Sequence, residues 1–355
     1  MTHIAIIGCG NIAGPYVQDL ITYPNLTLRG VTDLDTARAE DFATTHNTHA
    51  YASLDQLLAD PAVEVVVNLT THHAHKEIIT QALNAGKHVY SEKPLALTAQ
   101  EAQELVALAA QKGLRLACSP FTLAGEAQQT AWKHIREGHL GTVRVVYAEV
   151  NWARIETWHP APQAFYAVGP LFDVGVYPLA ILTAMFGPIA TVTAYGKIIY
   201  PERMTLEGAP FTVTSPDFLV CVLETTQGVV IRLTSNFYVG HHNKQGSGIE
   251  FHGDDGSLHL SSWFMPDAEV SFAPFGGEYN TVPRIREPQK TGVPWGLGVN
   301  ELATALLESR PHRFSGEHAA HVVDILESCA QAVREQHPVT LSTSFTPPAP
   351  MAWAE

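Results

Sequence analysis

Gly8-Cys9-Gly10-Asn11-Ile12-Ala13 matches the pattern G-x-G-x-x-G/A. It follows the apolar run Ile4-Ala5-Ile6-Ile7 and opens a helical stretch, the context in which that pattern binds a dinucleotide. Gly8 permits a tight turn, Gly10 lets the backbone approach a pyrophosphate, and Ala13 keeps the helix near the sheet. Together with Asn11 and Ile12 they bring N–H groups at a helix N-terminus to the phosphates. A second strand ends at Val31-Thr32-Asp33. An acidic side chain there can accept both ribose hydroxyls and repels a 2′-phosphate, so the cofactor expected is NAD, with NADP less favoured. Asp35 adds negative charge, and Arg38, one helical turn on, is expected to face solvent. Asp33 could instead cap the helix that begins at Thr36-Ala37-Arg38.

Histidine is the other abundant chemical type, with 18 in the chain. His72, His73 and His75 cluster, His241 and His242 are adjacent, and His318 and His321 lie three apart on an expected helix. Zinc needs three or four convergent ligands, and none of these groups brings an obvious carboxylate or thiolate. No metal is expected. Cys9, Cys118, Cys221 and Cys329 are far apart with no C-x-x-C, so neither a disulfide framework nor a thiolate site is indicated.

The elements that must carry these residues alternate over the first 120 positions, as in a parallel sheet with crossover helices. Ile4–Ile7, Leu26–Thr32, Val63–Leu69, His88–Tyr90 and Leu114–Ala117 read as strands. Ser53 with Gln56 and Thr98 with Glu101 fit capping boxes, and Gly113 reads as a helix stop. Later strands are expected at Val143–Asn151, Ile189–Ile199, Phe218–Glu224, Val229–Asn236 and Ile249–His252. Thr226-Gln227-Gly228 and Asp254-Asp255-Gly256 supply turns, and strands that follow one another with so little helix between imply antiparallel pairing. Helices over Val299–Glu308 and Glu317–Gln336 come last. The fold expected is α/β: a doubly wound Rossmann domain over residues 1–120, then an α+β domain with an open, mainly antiparallel sheet over residues 121–355.

The 355 residues carry 21 Lys and Arg against 35 Asp and Glu, a net charge of 21 − 35 = −14. That balance, with no Lys/Arg cluster, excludes a nucleic-acid surface or an anionic-membrane binder. No apolar run reaches the ~18–20 residues of a membrane helix, and Met1 to Gly8 runs straight into a strand without a leader pattern. A cytoplasmic protein is expected.

Three further segments complete an ordered set. Val65 to Pro94 reads strand, Asn68-Leu69-Thr70-Thr71-His72-His73-Ala74-His75, helix, Ala85-Gly86-Lys87-His88-Val89, then Glu92-Lys93-Pro94. Gly169-Pro170-Leu171-Phe172-Asp173-Val174-Gly175-Val176-Tyr177 follows. With the glycine motif, this order resembles the Gfo/Idh/MocA oxidoreductases over essentially the whole chain. The resemblance implies pyridine-nucleotide chemistry on sugars, cyclitols or related alcohols, and an open sheet that often forms a subunit interface. It implies that Lys93 is the active-site lysine, that Pro94 follows a cis peptide, and that Asp173 is the motif aspartate. It also implies cofactor contacts from Leu69, Thr70, Thr71, His72, His75, Glu92 and Lys93. Where many members place histidine this chain has Tyr177, as in the D-x-G-x-Y subgroup that includes glucose–fructose oxidoreductase and the dimeric dihydrodiol dehydrogenases. Those relatives favour NADP, against the reading of Asp33. Many members also carry Asn-x-Arg after the fifth strand, where this chain has Ser119-Pro120-Phe121.

The chemistry agrees with that placement. Oxidising a secondary alcohol needs a base within hydrogen-bond reach of the oxygen. A tyrosine hydroxyl, with its ordinary pKa of about 10, needs a nearby ammonium to act near neutrality. Tyr177 is therefore expected as acid/base, Lys93 as its electrostatic partner and oxygen ligand, and Asp173, four residues earlier on the same helical face, as orienter. Arg154, Trp158, His159 and His241 are expected to contact a sugar or polyol, through aromatic stacking and through pairing with hydroxyls or a carboxylate. The function expected is hydride transfer between such an alcohol and NAD by a homodimer or homotetramer. Two other functions fit the same fold: redox-assisted glycoside cleavage with a recycling NAD, and non-catalytic nucleotide-binding regulation.

Overall fold

A computed structural model describes residues 1–240, 242–288, 290 and 292–355. The chain forms two compact units: residues 1–121 with 294–323, and residues 122–293 with 324–355.

The first unit alternates strand and helix: β1 (Thr2–Ile7), α1 (Ala13–Leu20), β2 (Leu26–Thr32), α2 (Thr36–Thr45), α3 (Leu54–Ala59), β3 (Val65–Asn68), α4 (His75–Asn84), β4 (His88–Ser91), α5 (Ala99–Lys112) and β5 (Leu116–Cys118). All five strands are parallel, in the order β2-β1-β3-β4-β5. Their apolar runs are buried on both faces. Ala5, Ile7, Val66 and Val89 pack into one core cluster, and Ile4, Ile6, Val65 and Val67 into the other. Each of these valines and isoleucines contributes about 2 kcal/mol by leaving water. The predicted caps form, with Ser53 Oγ accepting the Gln56 N–H and Thr98 Oγ1 that of Glu101, both at 3.2 Å.

β1 begins at Thr2, two residues before the expected Ile4, while two strands start later than expected. β3 begins at Val65 rather than Val63, whose own N–H is turned back to Asp60 O at 3.2 Å. β5 begins at Leu116 rather than Leu114. The α5 cap extends through Gly113, at φ +65°, to Leu114, whose N–H bonds back to Ala109 O at 2.9 Å.

In the second unit come α6 (Glu126–Arg136), β6 (Val143–Asn151), α7 (Gln163–Val168), α8 (Val176–Phe186) and β7 (Ile189–Lys197). A small hairpin, β8 (Glu202–Met204) and β9 (Pro210–Thr212), follows, then β10 (Phe218–Thr225), β11 (Val230–Asn236), β12 (Ile249–Gly253), β13 (Gly256–Leu260), β14 (Val270–Pro274) and β15 (Asn280–Thr281). α9 (Leu297–Leu307) packs in the first unit, α10 (Gly316–Glu335) carries the chain from one unit to the other, and β16 (Val339–Thr340) is the last strand. The nine-stranded sheet runs β15-β14-β13-β12-β6-β11-β10-β7-β16. Every neighbouring pair is antiparallel except β6 and β11, which are parallel. β7 stops at Lys197, short of the expected Ile199, because the Ile199 N–H bonds to Asp217 Oδ1 at 2.6 Å instead of a neighbouring strand.

Candidate functional site

Most of the expected cofactor residues lie in loops that leave the C-terminal ends of neighbouring parallel strands, the end of an open α/β sheet where ligands bind. After β1, Gly8 turns at φ +97°. A Cβ there would lie 2.9 Å from the backbone of Leu69 and Thr70, so the loop after β3 is packed directly on this glycine. Gly10 is different. It is exposed, and a Cβ on it would meet nothing within 4 Å. Asn11 is exposed, and Ile12, at the N-cap of α1, makes no side-chain cap. An open backbone cradle at a helix N-terminus, beside an acidic strand end, fits the pyrophosphate and ribose of NAD(P).

Asp33 is tied back to that cradle. Its Oδ2 accepts the Cys9 N–H at 2.8 Å and its Oδ1 the Asp35 N–H at 2.9 Å. Burial, reinforced by the Asp33 charge, pushes the Cys9 thiol up to about 12, so it stays protonated. The helix cap is Asp35 rather than Asp33: Asp35 Oδ1 accepts the Arg38 N–H at 3.1 Å. That cap corrects the expected position of Arg38. Held in the first turn of α2, its half-exposed guanidinium reaches Asp33 at 3.5 Å and Asp35 at 3.4 Å instead of facing only solvent.

The loop after β3 is shaped by Asn68, which sequence reasoning passed over. Fully buried, it accepts the Thr70 N–H at 3.2 Å and the Thr70 hydroxyl at 2.7 Å, an Asx turn. Leu69 is buried, Thr71 is exposed, and His72 packs on His73 with ring centres 4.1 Å apart. His75 lies between this loop and the next, with Nδ1 2.7 Å from Pro94 O and Nε2 3.1 Å from Thr70 O. Burial lowers its pKa, so the neutral ring has one N–H to give to one of these carbonyls at a time. After β4, Glu92 is buried and its Oε2 accepts the Lys93 N–H at 3.1 Å. Lys93–Pro94 is cis, as the resemblance implied, and Ser119–Pro120 is cis as well.

Asp173 and Tyr177 belong to the second unit. They do not share an α-helix. Asp173 lies in a π-helical turn over Leu171–Gly175 that runs directly into α8, where Tyr177 is the second residue. The wider turn still leaves residues four apart near one face, and such turns recur at functional sites. Tyr177 is 9% exposed, its ring 5.4 Å from Trp263 at 27° and 5.3 Å from Phe264 edge-on. Trp263, fully buried, donates its indole N–H to Glu149 O at 2.9 Å and lies 5.8 Å from Trp152. An aromatic wall thus fixes Tyr177, and no spacing in the sequence links residues 177 and 263.

The expected substrate residues divide. Trp158, 46% exposed, and His159 pack with Phe165 at 6.1 and 4.6 Å. Arg154 turns elsewhere, its guanidinium carbon 4.4 Å over the Tyr238 ring and 5.4 Å from the centre of Tyr200. His241 lies outside the described residues. Among the described residues, no three His, Cys, Asp or Glu side chains gather as a metal site requires, and no helix is long and apolar enough to cross a membrane.

Known proteins share both halves of this arrangement. Residues 2–119 match the oxidoreductase family described as "NAD-binding Rossmann fold", and residues 128–259 the GFO/IDH/MocA C-terminal domain. Trans-1,2-dihydrobenzene-1,2-diol dehydrogenase from Oryctolagus cuniculus is 32% identical over 63% of this chain and 66% of its own length. The Bos taurus enzyme of the same name is 34% identical over 63% and 64%. The match thus spans slightly under two thirds of these relatives. Among solved structures, an NAD binding oxidoreductase from Klebsiella pneumoniae superposes with a TM-score of 0.84 at 20% identity, over 97% of this chain and 100% of its own. A levoglucosan dehydrogenase in complex with NADH gives 0.83 at 18%, over 96% and 99%. The two family matches, over residues 2–119 and 128–259, cover most of the chain, which therefore belongs to the Gfo/Idh/MocA oxidoreductase family.

Proposed function

We propose that the chain is an NAD-dependent dehydrogenase of secondary alcohols on sugars, cyclitols or related diols. One observation carries this reading: the open Gly10 cradle, the Asp33 carboxylate and the Lys93 turn all lie at one end of the parallel sheet. Asp33 offers its carboxylate where a ribose diol lies and repels a 2′-phosphate. With Asp35 and Arg38 the local charge is −1, which supports NAD over NADP.

Bound nucleotide supplies the hydride acceptor. In this reading the Lys93 ammonium holds the alcohol oxygen and favours loss of its proton, and Tyr177, acting as the phenolate, takes that proton and becomes the neutral phenol. Asp173 orients Tyr177, and the Trp263–Phe264 wall keeps the ring fixed so that its oxygen meets the substrate at one distance. Trp158 and His159 offer a face and a hydrogen-bonding edge to the polyol. A diol substrate is in keeping with the names of the relatives. The outer face of the nine-stranded sheet exposes Tyr147, Tyr195, Val222 and Val230, which supports a homo-oligomer joined through that face. Light scattering that returned a monomer would remove that claim.

The test is NADH absorbance on mixing the protein with NAD or NADP and a panel of sugars, cyclitols, sugar acids, glycosides and trans-diols. Growth with NAD and one compound class is the expected result and names the substrate. Growth with NADP alone overturns the cofactor assignment. Silence with nucleotide bound overturns the dehydrogenase and points to redox-assisted glycoside cleavage or regulation.

A further inference from the structure

Ser119, which directly follows β5, belongs to a buried polar network beneath the Lys93 turn. Glu92 Oε1 accepts the Tyr16 hydroxyl at 2.6 Å and the Ser119 hydroxyl at 3.0 Å, while its Oε2 caps the Lys93 N–H. Ser119 has one hydroxyl proton, and Glu92 takes it. The Tyr90 hydroxyl, 3.0 Å from Ser119 Oγ, must therefore be the donor in that pair. Every hydroxyl proton in the chain Tyr90→Ser119→Glu92←Tyr16 is thus assigned, and all converge on one carboxylate. Tyr16 and Tyr90 are fully buried, and Ser119 and Glu92 nearly so. Burial and the Glu92 charge raise both phenols above their ordinary range, in keeping with their place as donors.

The network is closed from a distant part of the chain. Trp295 packs on Tyr16 and Phe121, each with ring centres 5.9 Å apart. The Gly296 N–H bonds to Asp19 Oδ2 at 2.7 Å, and a Cβ on Gly298 would collide with the Tyr90 hydroxyl. Nothing in the hydride chemistry requires two hydroxyls on a buried glutamate. They do fix the carboxylate, and through its other oxygen the backbone on which Lys93 stands.

We propose that Tyr16 and Ser119 are positioning residues for Lys93, acting through the Glu92 carboxylate. The proposal rests on the reading of Lys93 as the residue that meets the alcohol oxygen. Losing either hydroxyl leaves a buried carboxylate short of a donor, and the turn after β4 then has to move or to take up water.

The test uses the full chain and the variants Tyr16→Phe, Ser119→Ala and both together, with Tyr16→His to restore a donor. Acetic anhydride labelling of Lys93 under saturating NADH is compared, across pH, with labelling of exposed Lys112 in the same molecules. The expected result is a change of about threefold in the Lys93/Lys112 ratio in each single variant, with a shifted pH midpoint. NADH affinity should hold within about twofold, and kcat on the compound found in the panel should fall about tenfold with little change in KM. The double variant should lose less than the product of the singles, and Tyr16→His should recover most of the loss. An unchanged labelling ratio and kcat, with only the melting temperature lowered, would make the network structural and overturn the proposal. Should Tyr16→Phe fail to fold, the smaller change Ser119→Ala decides by the same readouts. A shifted labelling ratio in a protein that turns over nothing in the panel would sustain the positioning and sink the dehydrogenase reading instead.

Discussion

The two units hold their candidate residues by different physics. In the parallel-sheet unit the loops are tied by short, directed bonds: Asp33 to Cys9, Asn68 to Thr70, His75 to Pro94, Glu92 to Tyr16 and Ser119. In the unit with the nine-stranded sheet, the candidates rest on ring faces: Tyr177 on Trp263 and Phe264, Arg154 on Tyr238, His159 on Phe165. A buried hydrogen bond tolerates one partner at one angle, whereas an aromatic face accepts a range of offsets. The contrast accords with the proposed reading, in which the first unit holds the nucleotide and the second meets the alcohol.

The largest effect expected is on chemistry. Lys93→Met and Tyr177→Phe should each lower turnover about a thousandfold while NADH still binds, read by steady-state kinetics beside fluorescence titration. Near-normal turnover in both would remove the assignment. Next comes Asp33→Ser, which should shift the NAD-to-NADP preference in kcat/KM by about 10- to 100-fold, because the acceptor of two ribose hydroxyls is lost and Arg38 is freed for a 2′-phosphate. The glycines should separate stability from binding. Gly8→Ala drives a Cβ into the Leu69–Thr70 backbone at a positive φ and should cost about 2–5 kcal/mol by chemical denaturation. Gly10→Ala meets no atom of the chain, so it should leave stability near normal and weaken nucleotide binding.

Trp263→Leu, which removes the face under Tyr177, should lower kcat/KM about tenfold without changing NADH affinity. An altered NADH affinity would blur the contrast between the units. The last effect, confined to acid pH, is on stability. Burial, with His321 nearby, pushes His318 down to about 3. The unfolded chain takes up that proton near pH 6.5, so this contribution is complete above pH 6.5 and is lost progressively as the pH falls toward 3. His318→Gln should flatten the stability profile over that window by up to about 1.4 kcal/mol per pH unit.

Much of the parallel-sheet unit could be read directly. Its apolar runs have the length and two-faced burial of parallel strands, and Ser53, Thr98 and Gly113 mark helix ends by local hydrogen bonds that a short window contains. The positions of Gly8 and Asp33 were legible in the same way, since each directly follows a strand, β1 and β2. What escaped detection depends on contacts between distant residues. The wall under Tyr177 comes from residue 263, and Tyr16, Glu92 and Ser119, far apart in the chain, meet in one buried cluster. The β8–β9 hairpin and the short β15 and β16 were also missed, since two or three residues are too few to show a period.

The return of residues 294–323 to the first unit sets an order of events during synthesis. Asp19 waits for Gly296, Tyr16 for Trp295, and the β1–β4 core for Val299, Leu302 and Ala303. A ribosome that has released only the first 121 residues has released a sheet with part of one face uncovered. Since domains complete as units, the nucleotide half must stay open until nearly all of the other half has emerged. Cutting the chain near residue 121 therefore should not yield a self-sufficient nucleotide-binding fragment, and recombination between relatives at that point would separate Tyr16 from the tryptophan that covers it.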